Sequence, residues 1–116
     1  MTKSDIGVVG LGTMGAMLAL NIADNGFRVS GYNRTASRLE SFMAEAGALA
    51  DRITPCETLE AFVASLESPR AIILMVPAGD VVDKQITALR PLLDDDDLII
   101  DAGNANFHDT NRRPWK

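Results

Sequence analysis

Cysteine and histidine each occur only once in this chain of 116 residues. A single cysteine, Cys56, excludes an intrachain disulfide. Together with the single histidine, His108, it cannot supply the ligand set of a cysteine–histidine metal site. We therefore expect no metal ion, and we interpret Cys56 as an inert residue at the start of a helix.

Long hydrophobic runs and excess positive charge are also missing. No apolar run approaches the roughly 20 residues that span a bilayer, and the first residues, MTKSD, lack the apolar core of a signal peptide. The net charge of −5 disfavours nucleic-acid binding by bulk electrostatics. We expect a cytoplasmic protein that binds neither membranes nor nucleic acid.

Short apolar segments alternate with amphipathic ones over the whole length. This length suffices for one hydrophobic core but not for an additional substrate domain. Strands are predicted near residues 6–9, 28–32, 71–76 and 98–101, with a weak one at Ile53, and helices near 14–25, 36–46, 56–66 and 81–93. Thr54 and Pro55 are expected to introduce the third helix, and Pro91 to interrupt the fourth. The order predicts a single α/β domain over residues 1–116, a Rossmann-like, doubly wound sheet with parallel strands.

Four consecutive aspartates at residues 94–97 precede the last predicted strand. A run of carboxylates could bind a divalent cation, but these four lack the alternating spacing of a cation-binding loop. We interpret the run as a solvated turn.

The segment from Ile6 to Arg34 predicts a βαβ unit with a phosphate-binding turn. Its glycines, Gly10, Gly12 and Gly15, have the G-x-G-x-x-G spacing. The first permits a tight turn, the second allows a pyrophosphate to approach the backbone, and the third lets the helix lie against the strand. The phosphate would sit at the helix N-terminus. The alternative is a glycine-rich turn in an α/β domain that binds no nucleotide.

The residues after the second strand indicate which dinucleotide is bound. An NAD site usually places an acidic residue there, whereas this chain has Asn33, Arg34 and Thr35. The neutral Asn33 would not repel a 2′-phosphate, and Arg34 can pair with one. The pattern favours NADP over NAD. Alternatively, Arg34 is a solvated loop residue and Thr35 only caps the next helix.

Three polar turns should meet at one edge of the sheet. Residues 10–15, 76–79 and 101–104 each follow a predicted strand. Ligands of open parallel sheets bind beyond the carboxyl ends of the strands. The three turns therefore mark the expected binding edge.

Three stretches carry a resemblance to a known family: residues 6–35 with GLGTMG and NRT, ILMVPAG, and IIDAGNANFHDTNRR. They resemble the amino-terminal domain of 6-phosphogluconate dehydrogenase, within the β-hydroxyacid dehydrogenase superfamily. The similarity runs from about Asp5 to Arg113. It implies oxidation of 6-phosphogluconate by NADP⁺ and decarboxylation to ribulose 5-phosphate, in the pentose phosphate pathway.

The resemblance also implies which residues bind NADP. These residues form four groups. They are the glycine turn, the segment that recognises the 2′-phosphate, a turn near the nicotinamide-side ribose, and an asparagine where nicotinamide and substrate meet. In this sequence they are Gly10, Leu11, Gly12, Thr13, Met14, Gly15, Asn33, Arg34, Thr35, Val76, Pro77, Ala78 and Asn104. Asn104 is also the expected substrate-binding residue.

The sequence departs from the family pattern in two motifs. Pro77 replaces the lysine of MVKAG, and Ala102 replaces a glycine of D-G-G-N. The resemblance implies that the family's catalytic lysine and glutamate and its helical catalytic and dimerisation domain are expected beyond the last residue of this sequence. No acid–base pair is found within the chain, so we expect it to bind the cofactor but to be inactive alone.

Two other interpretations are consistent with the residues. One is a stand-alone nucleotide-binding or sensor module that works through a partner chain. A homodimer formed through the helix near Pro91 or the tail at residues 107–115 would favour it. The other is a β-hydroxyacid dehydrogenase or imine reductase relative with a different substrate, because relatives share this domain while substrate choice lies elsewhere.

Overall fold

The computed structural model describes residues 3–75, 80–101 and 106–109. One sheet of six strands has the order β3-β2-β1-β4-β5-β6, and helices connect the parallel strands. The strands are β1 Ile6–Val9, β2 Val29–Tyr32, β3 Ile53–Cys56, β4 Ala71–Leu74, β5 Leu98–Asp101 and β6 Asn106–Asp109. The first five strands are mutually parallel, so the predicted Rossmann-like α/β fold is confirmed.

The sixth strand was not predicted, and it is antiparallel. β6 pairs with β5 in a register that joins Leu98 to Asp109 and Asp101 to Asn106. Its sequence, NFHD, has no apolar run and no clear alternation, so periodicity could not identify it. The predicted parallel sheet therefore comprises five strands, and β6 adds an antiparallel strand beside β5.

In the described part of the chain, four α-helices and two short 3-10 helices connect the strands. They are α1 Thr13–Asp24, α2 Ala36–Ala46, α3 Leu59–Ala64 and α4 Asp80–Leu89, with 3-10 helices at Gly47–Arg52 and Arg90–Leu92. The second helix stops before Gly47 and the fourth gives way near Pro91, as predicted. No helix in the described ranges is long and apolar enough to cross a membrane.

Each face of the sheet has its own hydrophobic core. One core joins the sheet to α1 and α2 through Val8, Leu11, Ala16, Ala19, Ala23, Val29, Leu39, Phe42, Ala46 and Ile53. The other packs α3 and α4 against the opposite face through Val9, Cys56, Phe62, Val63, Leu66, Ile72, Leu74, Ile86, Leu89 and Ile99. Successive side chains along a strand point to opposite faces of the sheet, so Val8 belongs to one core and Val9 to the other. A doubly wound sheet follows.

The third predicted helix begins later than expected. Pro55 and Cys56 belong to strand β3, paired with Gly31 and Tyr32, and α3 starts only at Leu59. Its cap is Thr58, whose side chain accepts a hydrogen bond from the Ala61 N–H (3.1 Å). β3 is one of the two edge strands of the described sheet, and a proline is tolerated there because one side of the strand has no neighbour among the described strands. The prediction that Pro55 starts a helix was therefore wrong.

The run of aspartates is only partly a solvated turn. Asp94, Asp95 and Asp96 are exposed, but the side chain of Asp97 is 0% exposed. Its carboxylate accepts hydrogen bonds from the backbone N–H groups of Arg70 (2.6 Å) and Asp94 (2.7 Å). It also pairs with the Arg70 guanidinium at 3.0 Å. Asp97 thus connects the starts of β4 and β5, and the prediction was wrong for this residue.

Candidate functional site

The glycine turn after β1 has the close approaches that its spacing predicted. Gly10 has a φ of 95°, in the region that favours glycine, and its N–H donates to the Tyr32 carbonyl (2.9 Å). A Cβ on Gly15 would overlap the Gly10 carbonyl oxygen and lie 3.3 Å from the Met75 Cβ. The first turn of α1 can therefore lie against the end of β1 only because residue 15 has no side chain.

The N-terminus of α1 is open to a ligand. Gly12 is the exposed N-cap residue, and a Cβ added there would meet no atom within 4 Å. The helical hydrogen bonds begin with the Ala16 N–H, which donates to the Gly12 carbonyl (2.8 Å), so the preceding N–H groups have no helical acceptor. Among the described residues, no side chain caps them, and the first turn contains no acidic residue. These features fit the binding of a phosphate group.

The segment predicted to bind a 2′-phosphate, Asn33 to Thr35, lies directly after β2, beside the glycine turn. Arg34 is exposed and makes no hydrogen bond or ion pair with the described part of the chain. Thr35 occupies the N-cap position of α2, but its side chain makes no capping hydrogen bond. The alternative in which Thr35 serves to cap α2 is therefore not supported, and both side chains face solvent.

Asn33 connects the two parts of the site. Its side-chain oxygen accepts a hydrogen bond from the Leu11 N–H (2.9 Å), and its amide group donates to the Thr35 carbonyl (3.2 Å). Arg38, in the first turn of α2, donates from Nε to the Leu11 carbonyl. Arg38 could not be identified from the sequence, because nothing in the pattern of α2 distinguishes it from a surface arginine. Its bond to Leu11 spans 27 residues.

Of the other residues implied by the resemblance, the structure describes Thr13 and Met14. Thr13 begins α1, and the Met14 side chain is 71% exposed. Val76, Pro77, Ala78 and Asn104 lie outside the described residues. The strands that precede them, β4 and β5, end in register with β1: the last residue of β4, Leu74, pairs with both Val9 and Asp101.

Cys56 is buried at the end of β3, not at the start of a helix. Burial raises the pKa of its thiol, and a hydrogen bond with Ser65 opposes that rise only in part. A thiol held neutral is a poor nucleophile and a poor metal ligand. Within the described ranges, no three His, Cys, Asp or Glu side chains are grouped as a metal site would require.

The amino-acid sequence of this chain is similar to known proteins. A family described as the NAD binding domain of 6-phosphogluconate dehydrogenase matches residues 5–115. The decarboxylating 6-phosphogluconate dehydrogenase of Haemophilus influenzae is 51% identical over 111 residues, which cover 96% of this chain and 23% of that protein. The NADP(+)-dependent, decarboxylating enzyme of Bacillus subtilis is 49% identical over 113 residues, covering 97% of this chain and 24% of that protein.

A solved structure agrees with the sequence relatives. The 6-phosphogluconate dehydrogenase of Plasmodium falciparum has a TM-score of 0.80 and 39% identity, over 86% of this chain and 21% of that chain. That enzyme has been solved with its cofactor NADP+ and with its substrate 6-phosphogluconate. The chain spans about a quarter of the length of these relatives. Because the family match covers nearly the whole sequence, the resemblance is confirmed, and the chain belongs to the family of the NAD binding domain of 6-phosphogluconate dehydrogenase.

Proposed function

We propose that this chain binds NADP(H) and serves as the cofactor domain of a decarboxylating 6-phosphogluconate dehydrogenase. The observation that carries the proposal is the placement of the exposed Arg34 beside the uncapped start of α1. A dinucleotide with a 2′-phosphate carries negative charge at both places. Its pyrophosphate would meet the N–H groups of the helix, and its 2′-phosphate would meet the guanidinium.

The preference for NADP over NAD is supported by the charges at the end of β2. An acidic residue there would accept hydrogen bonds from the ribose of NAD and repel a 2′-phosphate. This chain has the neutral Asn33, followed by the cationic Arg34 and the hydroxyl of Thr35. We therefore propose that Arg34 and Thr35 contact the 2′-phosphate.

The proposed role of this chain is to bind and orient the cofactor. Bound NADP⁺ supplies the acceptor for a hydride, which in 6-phosphogluconate would come from the carbon bearing the 3-hydroxyl. The glycine turn would fix the pyrophosphate, and the segment after β2 would fix the adenosine end. Turnover of 6-phosphogluconate in the cytoplasmic pentose phosphate pathway, substrate contact through Asn104 and dimer formation are proposed only for an assembly that includes a substrate-binding part.

The proposal predicts that the chain distinguishes the two dinucleotides through Arg34. In calorimetric titrations of the 116-residue chain, NADP⁺ should bind more tightly than NAD⁺. Replacing Arg34 with alanine should weaken NADP⁺ binding roughly ten- to hundredfold, the range expected for losing a charge-assisted hydrogen-bonded pair. NAD⁺ binding should change little, because NAD⁺ lacks the 2′-phosphate with which Arg34 would pair.

Arg28 provides the control for loss of positive charge. It is also exposed, but it directly precedes β2 and so lies at the amino ends of the strands, away from the glycine turn at their carboxyl ends. Its side chain takes part in no hydrogen bond or ion pair with the described residues. Arg28→Ala should leave the affinity for NADP⁺ unchanged. If neither dinucleotide binds the unmodified chain, or if Arg34→Ala binds NADP⁺ as well as the unmodified chain does, the proposed function is wrong.

A further inference from the structure

Both backbone polar groups of Leu11, its N–H and its carbonyl, are held by side chains that follow β2. The N–H of Leu11 donates to the Asn33 side chain at 2.9 Å, and its carbonyl accepts from Arg38 Nε. Asn33 directly follows β2, and Arg38 lies in the first turn of α2, so the two residues flank Arg34 and Thr35. The phosphate-binding turn is therefore tied to the segment that would bind the 2′-phosphate.

Leu11 is the residue through which the turn can be fixed. Its neighbours on both sides, Gly10 and Gly12, have no side chains and allow the backbone many conformations. The Leu11 side chain is 0% exposed and packs into the core on the α1 and α2 face. That packing fixes the position of the Leu11 side chain. The two hydrogen bonds fix the directions of its N–H and its carbonyl.

The surroundings of Arg38 suit a structural bond better than phosphate binding. Its Nε is used by the Leu11 carbonyl, and its Nη1 lies 3.4 Å from the Glu45 carboxylate. Both side chains of this ion pair are partly exposed, at 31% and 52%, so the pair itself contributes little to stability. A carboxylate beside the guanidinium nevertheless reduces the positive potential that a phosphate would meet there.

We propose that Asn33 and Arg38 are positioning residues for the dinucleotide, acting through Leu11. They hold the turn in the shape that accepts a pyrophosphate, whereas Arg34 contacts the 2′-phosphate itself. This inference rests on the proposed nucleotide-binding function. It assigns two different effects to two arginines that lie four residues apart.

Two probes separate these effects in the 116-residue chain. NADP⁺ contains both a pyrophosphate and a 2′-phosphate, whereas adenosine 2′-monophosphate contains only the latter. Arg38→Ala should weaken NADP⁺ binding about tenfold, the effect of losing one hydrogen bond from a charged donor, and leave adenosine 2′-monophosphate binding unchanged. Arg34→Ala should weaken the binding of both probes. Hydrogen exchange at the Leu11 amide should be faster in Asn33→Ala than in the unmodified chain.

Arg52→Ala is the matched control. Arg52 also donates to a backbone carbonyl, that of Ala23 at 3.0 Å, but at the far end of α1. This variant should bind both probes as the unmodified chain does, with unchanged exchange at Leu11. A general loss of stability in Arg38→Ala would appear as a lower melting temperature than in Arg52→Ala.

The results distinguish failure of this inference from failure of the proposed function. If Arg38→Ala weakens both probes equally, Arg38 contacts the 2′-phosphate and the positioning role is wrong. If Arg38→Ala binds NADP⁺ normally, the positioning role is also wrong, while the proposed function stands. If the unmodified chain does not bind NADP⁺, the proposed function fails and this inference fails with it.

Discussion

Replacement of Gly15 by alanine is expected to be among the most destabilising single changes in this chain. The added methyl group would overlap the Gly10 carbonyl oxygen and lie 3.0 Å from the carbonyl carbon. These are backbone atoms of the turn itself, so they cannot move aside as a flexible side chain could. We expect a loss of about 3 kcal/mol in the free energy of unfolding, or roughly 10 °C in the melting temperature.

Gly12→Ala is the matched control, because it adds the same methyl group to the same turn. A Cβ at Gly12 meets no atom within 4 Å, and its φ of −68° suits any residue. Stability should fall by no more than about 1 kcal/mol, because alanine is a poorer N-cap than glycine. Nucleotide binding should fall strongly, since the methyl group would occupy space proposed for the pyrophosphate. Equal melting temperatures for the two variants would contradict this account of the turn.

Loss of the Asp97 carboxylate is expected to cost about as much stability. The side chain is fully buried and accepts hydrogen bonds from two backbone N–H groups and the Arg70 guanidinium. Asp97→Asn removes the charge and turns one acceptor into a donor that faces those groups. Breaking a buried ion pair in this way typically costs about 3 kcal/mol. Urea denaturation at neutral pH would measure the loss, with the exposed Asp96→Asn as control.

The same carboxylate makes stability depend on pH. Burial alone would raise the pKa of Asp97, but the backbone N–H groups of Arg70 and Asp94 and the Arg70 guanidinium hold that pKa below its usual value. The unfolded chain therefore takes up the proton first as the pH falls. The contribution of Asp97 is fully present at neutral pH, and is lost below about pH 4 as the pH passes through the lowered pKa. The difference in stability between the unmodified chain and Asp97→Asn should shrink under acid. A difference that stays constant with pH would contradict this assignment.

Features fixed by local physics could be predicted from the sequence. The apolar run at residues 71–76 predicted the parallel strand observed as β4, and the helical spacing of apolar residues from Leu39 to Ala46 predicted α2. The spacing of the glycines predicted the tight turn at Gly10 and the close approach at Gly15, because each requirement concerns the backbone near that residue. These local signals were sufficient for the fold class.

Features that depend on distant partners could not be predicted. Pro55 is acceptable in β3 only because that strand lies at the edge of the sheet, a position set by the whole topology. The buried role of Asp97 depends on Arg70, 27 residues earlier. The bond from Arg38 to Leu11 crosses an equal separation and joins a helix to a turn. Each of these residue types is common at protein surfaces. The edge position of Pro55 and the bonding partners of Asp97 and Arg38 exist only in the folded chain.

The most direct test of the central claim is a residue-by-residue titration of the isotope-labelled chain with NADP⁺ by nuclear magnetic resonance. The account predicts that backbone signals of residues 10–15 and 33–35 shift together and saturate with one dissociation constant, while signals of the aspartate turn at residues 94–97 stay unchanged. The absence of any shift would contradict the claim. So would shifts confined to another surface, such as the groove lined by Glu60, Ala88 and Leu92.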